Sequence, residues 1–92
     1  MNKSELIDAV AGATGETKRS VGDVIDGFIG EVTNQVKSGN KVTLPGFGTF
    51  ERRDRAARTA RNPRTGEEID VPATQVPAFK AGQGFKDAVG RR

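Results

Sequence analysis

Six arginines, Arg52, Arg53, Arg55, Arg58, Arg61 and Arg64, stand between positions 52 and 64 with a single acid, Asp54, among them. The rest of the 92-residue chain holds nine basic and eleven acidic residues, so the net charge of +3 belongs to this one segment. No lysine interrupts the cluster. A guanidinium offers planar, bidentate contact with phosphate and enters narrow grooves more readily than an ammonium does. The segment therefore reads as a surface for a polyanionic partner.

Arg52, Arg55, Arg58, Arg61 and Arg64 recur every three residues. On a strand, side chains alternate with period two, so a step of three changes face each time. Guanidinium groups on both faces suit a ribbon lying in a groove with a phosphate wall on either side. A solvated charged strand is the alternative; the arginine-only composition weighs against it. Pro63, between Asn62 and Arg64, has two compatible readings. It presets φ for a turn after Asn, and it presents an apolar wedge for insertion between base pairs, as minor-groove binders use to kink a duplex. Arg61 and Arg64 would then hold the adjacent backbone and groove floor.

Other chemistry is poorly supplied. The chain has no His and no Cys, which removes the commonest general base and the strongest nucleophile. The stretch "GFGTF" is followed by no Gly-Lys-Ser/Thr and is not a phosphate loop. Glu67 and Glu68 are adjacent, hence on opposite faces of a strand, and cannot share a metal. No catalytic residue, metal or cofactor is expected. No apolar run approaches the roughly 18 residues of a membrane span, and "MNKSELIDAV" lacks a signal-peptide pattern. The expectation is a soluble, intracellular protein with no membrane partner.

The elements that must carry this segment are legible from period and punctuation. Asn2 and Glu5 have the form of a capping box, and Leu6, Ile7 and Val10 follow at helical spacing, giving a first helix over about 3–13. Thr17 caps a second helix with apolar positions at Val21, Val24, Ile25, Phe28, Ile29, Val32 and Val36, ending near Gly39 in the left-handed conformation. Gly22, Gly27 and Gly30 inside it each cost roughly 1 kcal/mol relative to Ala. In "KVTLPGFGTF" the period changes to two, with a turn at Pro45-Gly46 and a bulge as one role for Gly48.

Residues 51–61 have helical propensity, but a strand leads in and "NPRTG" leads out, with Gly66 supplying positive φ for a hairpin loop. Folding about that loop sets Arg61 near Glu68 and Thr59 near Asp70 and makes 52–74 a two-stranded ribbon. Pro72 and Pro77 fit edge strands. Residues 83–90 close the chain as a short helix burying Phe85 and Val89. The fold class is α+β, with a three-stranded antiparallel sheet extended into a β-ribbon arm. A single domain is expected, with 1–51 and 75–92 forming the body. Hydrophobic residues are 34% of the chain, with five Phe and no Trp or Tyr. So thin an apolar supply predicts an obligate dimer.

The segments "MNKSELID", "GFGTFERRDRAARTARNPRTGEEI" and "VPAFKAGQGFKDAV" resemble those of the HU-type bacterial histone-like proteins, and the likeness runs from Met1 to about Val89. The most specific part is "ARNPRTG". The resemblance implies an intertwined homodimer with a helical base, whose two arms embrace double-stranded DNA through the minor groove. It further implies that Pro63 intercalates, that Arg53, Arg55, Arg58 and Arg61 line the groove, and that Lys3, Lys80 and Lys86 contact flanking phosphates. Asn62, in the arm motif, joins Arg52 and Arg64 among the DNA-binding candidates. Gln83 departs from the base that many relatives carry there, and Arg91-Arg92 extends past the usual end. The resemblance places the protein in the cytoplasm, on the nucleoid, bound to DNA with low sequence specificity and preferring bent, nicked or gapped duplexes. Two rival readings stay open: a site-preferring bender of the integration-host-factor kind, and an RNA-binding module with an arginine-rich arm.

Overall fold

The computed structural model describes residues 1–90, and Arg91 and Arg92 lie outside the described residues. Along the chain run α1 (Lys3–Thr14), α2 (Lys18–Lys37), β1 (Val42–Leu44), β2 (Gly48–Arg55), β3 (Arg58–Arg61), β4 (Glu68–Val71), β5 (Thr74–Ala81) and α3 (Gln83–Gly90). This is the α+β order expected from the sequence. The chain divides into two compact units, Met1–Asn34 and Gln35–Arg92.

The first unit is helical. The Asn2 side chain accepts from the Glu5 N–H and the Glu5 carboxylate accepts from the Asn2 N–H, so the capping box forms in full. Two of the orphan donors at the start of α1 are thereby satisfied. Thr17 caps α2 by accepting from the Ser20 N–H. At about 100° per residue, the apolar positions of α2 spread over roughly 140° of its circumference, wider than one helix covers. Val21 near the middle of that stripe is buried, whereas Val24 and Ile29 at its margins are 67% and 52% exposed. Among the described residues only Ala11, Val21 and Gly48 are buried, and only the first two bring a side chain to the core. The thin core anticipated from composition is thus real within a single protomer. A Cβ at Gly27 or Gly30 would meet nothing within 4 Å, so close approach inside the protomer is not the reason for either glycine.

In the second unit β2 lies between β1 and β5, and both neighbours are antiparallel to it. Four phenylalanines form its aromatic cluster: Phe47 stacks on Phe85 with centroids 4.8 Å apart, and Phe79 lies 4.9 Å from Phe50 and 5.5 Å from Phe47. Each such pair adds about 0.5–1.5 kcal/mol beyond the area it buries. Backbone bonds from the Gly82 N–H to the Phe47 carbonyl and from the Phe85 N–H to the Gly46 carbonyl, both 2.8 Å, tie the start of α3 to the β1–β2 turn.

Two expectations are corrected here. Gly48 is not a bulge, since it pairs regularly with Leu44 on one side and Ala81 on the other. Its lack of a side chain serves close approach: a Cβ there would lie 2.8 Å from the Lys80 carbonyl oxygen and closer still to the Phe79 ring. Val89 is 76% exposed rather than buried, because the aromatic cluster takes α3 through Phe85 alone.

The expected ribbon is also not one ladder. β2 pairs with β5 as far as Arg55 opposite Thr74, and β3 pairs with β4 as a separate two-stranded sheet from Arg58 opposite Val71. Between them Ala56 and Ala57 face Pro72 and Ala73 outside any strand. Pro72 has no N–H to give a ladder. Pro77 is accommodated within β5 because that strand is an edge of its sheet.

Gly48→Ala should drive a methyl into Phe79 and the β5 backbone, lowering stability by about 1–3 kcal/mol, the usual range for overpacking. Denaturant unfolding followed by circular dichroism measures it.

Candidate nucleic-acid interface

The arm tip is built by its own short-range hydrogen bonds. The Asn62 N–H donates to the Glu67 carbonyl and the Gly66 N–H to the Asn62 carbonyl, each at 2.8 Å. The Asn62 Oδ1 accepts from the Arg64 N–H at 2.8 Å, an Asx turn that folds the backbone over Pro63. Gly66 takes φ 76°, which a side chain would disfavour. Thr65 Oγ1 accepts from the Glu67 N–H, and the Arg61 guanidinium donates to the Gly66 carbonyl at 2.9 Å. Pro63 is exposed at the end of this frame. Asn62, a DNA-binding candidate by resemblance, has its backbone and side-chain oxygen committed to shaping the turn.

Below the tip, the register is the one expected: Thr59 faces Asp70 and Arg61 faces Glu68. The Arg61 and Glu68 side chains approach to 3.9 Å while remaining about equally open to solvent, at 68% and 70% exposure. A pair so exposed contributes little, at most about 1 kcal/mol. Arg55, Arg58 and Arg64 form no ion pair among the described residues. Their guanidinium groups are accordingly free for an external anion.

Arg52 and Arg53 are placed differently from the rest. Arg53 pairs with Glu51 at 3.2 Å, and Glu51 also has Lys41 at 3.9 Å. The Arg52 guanidinium lies 3.4 Å from the Lys37 carbonyl at the end of α2, packs beside Gly39, and reaches Asp54 at 3.5 Å. A cation at a helix C-terminus complements the macrodipole, usually by 0.3–1 kcal/mol at a surface. With 29% of its side chain exposed, Arg52 is held by its own chain more than any other arm arginine in an ion pair. Sequence spacing had grouped it with the other arginines, because the contact with α2 is fifteen residues away and leaves no local signal.

The lysines are scattered. Lys3 belongs to the first unit and pairs with Asp26. Lys80, opposite Thr49 on β5, and Lys86 on α3 are exposed and without an ion pair among the described residues. The Gln83 side chain donates to Asp87 at 2.7 Å. No helix among the described residues is long and apolar enough to cross a membrane, and no cluster of metal-ligating side chains occurs among them.

Comparison with known proteins gives a consistent result. A family model described as bacterial DNA-binding protein matches residues 1–90. The DNA-binding protein HU of Staphylococcus aureus strain COL is 54% identical over 89 residues, covering 97% of this chain and 99% of that protein. The DNA-binding protein HU of Geobacillus stearothermophilus is 52% identical with the same coverage. Among solved structures, an Anabaena HU–DNA cocrystal structure superposes with a TM-score of 0.90 at 48% identity, over all of both chains. HU from Thermotoga maritima gives 0.70 at 32% identity, covering 97% of this chain and 98% of that one.

Asn62→Ala should remove the acceptor for the Arg64 N–H and loosen the tip without touching the aromatic cluster. Amide hydrogen exchange at Gly66 and Glu67 is expected to accelerate while the denaturation midpoint stays put, since losses at such a turn act locally.

Proposed function

The chain belongs to the family of bacterial DNA-binding proteins, in its HU-type branch, and we propose from this that it is a non-enzymatic architectural protein that binds duplex DNA through the minor groove and bends it. The carrying observation is the arm: a self-built turn with Pro63 exposed at its end, in a segment where the guanidinium groups of Arg55, Arg58 and Arg64 form no ion pair among the described residues. The 48% identical Anabaena relative, crystallised with DNA, supports the same reading.

Each arginine that displaces counterions from a phosphate strengthens binding at low salt, giving a slope of log K against log salt of about −0.9 per phosphate. Minor-groove donors and acceptors are nearly degenerate, so sequence specificity is low. Smooth bending of a site costs on the order of 1–6 kcal/mol, and DNA already bent, nicked or gapped escapes part of that cost. Pro63 acts as the wedge, while Arg53, Arg55, Arg58, Arg61 and Arg64 hold the groove. Lys3, Lys80 and Lys86 meet flanking phosphates. The functional unit is a homodimer, supported by the exposed margins of α2 at Val24 and Ile29 and by Val89. A protein with this task works in the cytoplasm, on the nucleoid.

Binding to intact and nicked duplexes across a salt series, with the end-to-end distance of the DNA followed by energy transfer, tests the proposal. Pro63→Ala should bend DNA less while the salt slope stays the same; unaltered bending would make Pro63 a turn residue only. Arg58→Ala, which removes one contact from each of the dimer's two arms, should reduce the magnitude of the slope by about 1.8, whereas Arg52→Ala, removing a group engaged with α2, should leave it nearly unchanged. Discrete footprints on random genomic DNA would instead favour a site-preferring bender, and stronger binding to structured RNA of equal charge would favour an RNA module.

A further inference from the structure

β1 accompanies β2 no further than Phe50, which pairs with Val42. From Glu51 to Arg55 the sheet is two strands, β2 and β5, and its last pair is Arg55 with Thr74. Two strands without a third, or without a helix packed on them, are marginally stable in water. The direction in which they leave the sheet depends on what holds them where β1 stops.

Arg52 stands at that point. Opposed residues in a ladder share a face, and faces alternate along each strand. The pairs Phe50–Phe79, Arg52–Pro77 and Asp54–Gln75 therefore lie on one side, and Glu51–Ala78, Arg53–Val76 and Arg55–Thr74 on the other. Arg52 shares the side of the aromatic pair Phe50 and Phe79, and Arg53 and Arg55 turn away from it. The end of α2 supplies its seat. There the Asn40 N–H donates to the Gln35 carbonyl and the Gly39 N–H to the Val36 carbonyl, both at 2.9 Å, in a Schellman arrangement. The next carbonyl, that of Lys37, accepts from Arg52 Nη1 at 3.4 Å. Arg52 Nε meets Asp54 at 3.5 Å, and a Cβ on Gly39 would come within 3.4 Å of Nη2, so the guanidinium lies against bare backbone. Each of its three nitrogens has a neighbour, an arrangement that the planar fork of arginine provides and a lysine ammonium does not.

We propose that Arg52 is a positioning residue for DNA bending: it clamps the root of the arm, where β1 ends, to the terminus of α2 and sets the arm's direction before a duplex arrives. Direction fixed in the free protein removes part of the ordering cost that binding would otherwise carry. On the opposite face Lys41 approaches Glu51 at 3.9 Å, but Lys41 is 71% exposed, and a pair so open to solvent contributes little. Arg52 thus differs in task from the arginines that meet phosphate, although it stands in the same run. This inference rests on the DNA-binding reading above and adds to it the group that aims the arm.

Binding to nicked duplex across a salt series, with bending followed by energy transfer, is measured for the parent, Arg52→Ala and Arg52→Lys. Arg52→Ala should weaken binding about fivefold and lower the bend while the salt slope stays the same, because ordering is lost and no phosphate contact is. Arg52→Lys keeps the charge but not the fork, and should lose bending as Arg52→Ala does. A phosphate contact gives the opposite pattern: Lys preserves bending, and Ala lowers the magnitude of the slope by about 1.8 over two arms. That pattern, or parental bending in both variants, overturns the inference. Amide hydrogen exchange on the free proteins gives a reading that needs no DNA. In both variants the amides from Arg53 to Arg55 and from Thr74 to Val76 should exchange about threefold faster or more, while those of Phe50 and Phe79 keep the parental rate. Unchanged exchange at the root, or faster exchange throughout the sheet, which signals lost stability rather than lost aim, also overturns it. A parent protein that binds no duplex overturns the DNA-binding reading instead, and the exchange rates still decide whether Arg52 clamps the arm.

Discussion

A slip of one residue in the β3–β4 ladder would carry every side chain of the outer arm to the opposite face. The turn from Asn62 to Glu67 prevents that slip. Its two backbone bonds and the Asx turn fix how many residues lie between Arg61 and Glu68, and Gly66 takes the positive φ needed to close the loop. Everything attributed to the outer arm, from the exposure of Pro63 to the approach of Arg61 to Glu68, follows from that register. A ribbon with so little apolar surface has no other means of choosing one, since hydrophobic pattern is what usually selects register.

The second unit solves a different problem with few means. Its aromatic cluster must hold a three-stranded sheet and a short helix together, and it does so by bringing Phe79 down onto the bare backbone of Gly48. The lack of a methyl group at that point lets β2 and β5 run side by side to Arg55 and Thr74, where the arm begins. Arg52 reinforces the same junction by reaching the Lys37 carbonyl at the end of α2. Charge that looks expendable on the ribbon is thus partly structural. The gap at Ala56-Ala57 and Pro72-Ala73 then separates a well-braced root from an outer ribbon held only by its own ladder and tip.

Local signals carried far into this fold. The capping box at Asn2 and Glu5, the Thr17 cap, the left-handed turn at Gly39, the hairpin about "NPRTG" and its pairing of Thr59 with Asp70 were all legible, because each is set by residues a few positions apart. The accumulation of arginine on one segment was legible too, since charge needs no structure to be counted. Helical propensity over 51–61 pointed the wrong way, and the flanking strand and turn signals rightly outweighed it.

By itself, then, the sequence determined the order and type of the elements, the site of the turn, the sign of the arm's charge and the poverty of the core. The tertiary structure alone decided which arginines are free and which are engaged, that Gly48 is a point of close approach rather than a bulge, that Val89 faces outward, and that the ribbon is two ladders with a gap. The physical reason is distance along the chain. Caps and turns are closed by neighbours, whereas the partner of Arg52 lies on another element and the ring over Gly48 comes from a strand some thirty positions away, brought there by sheet register.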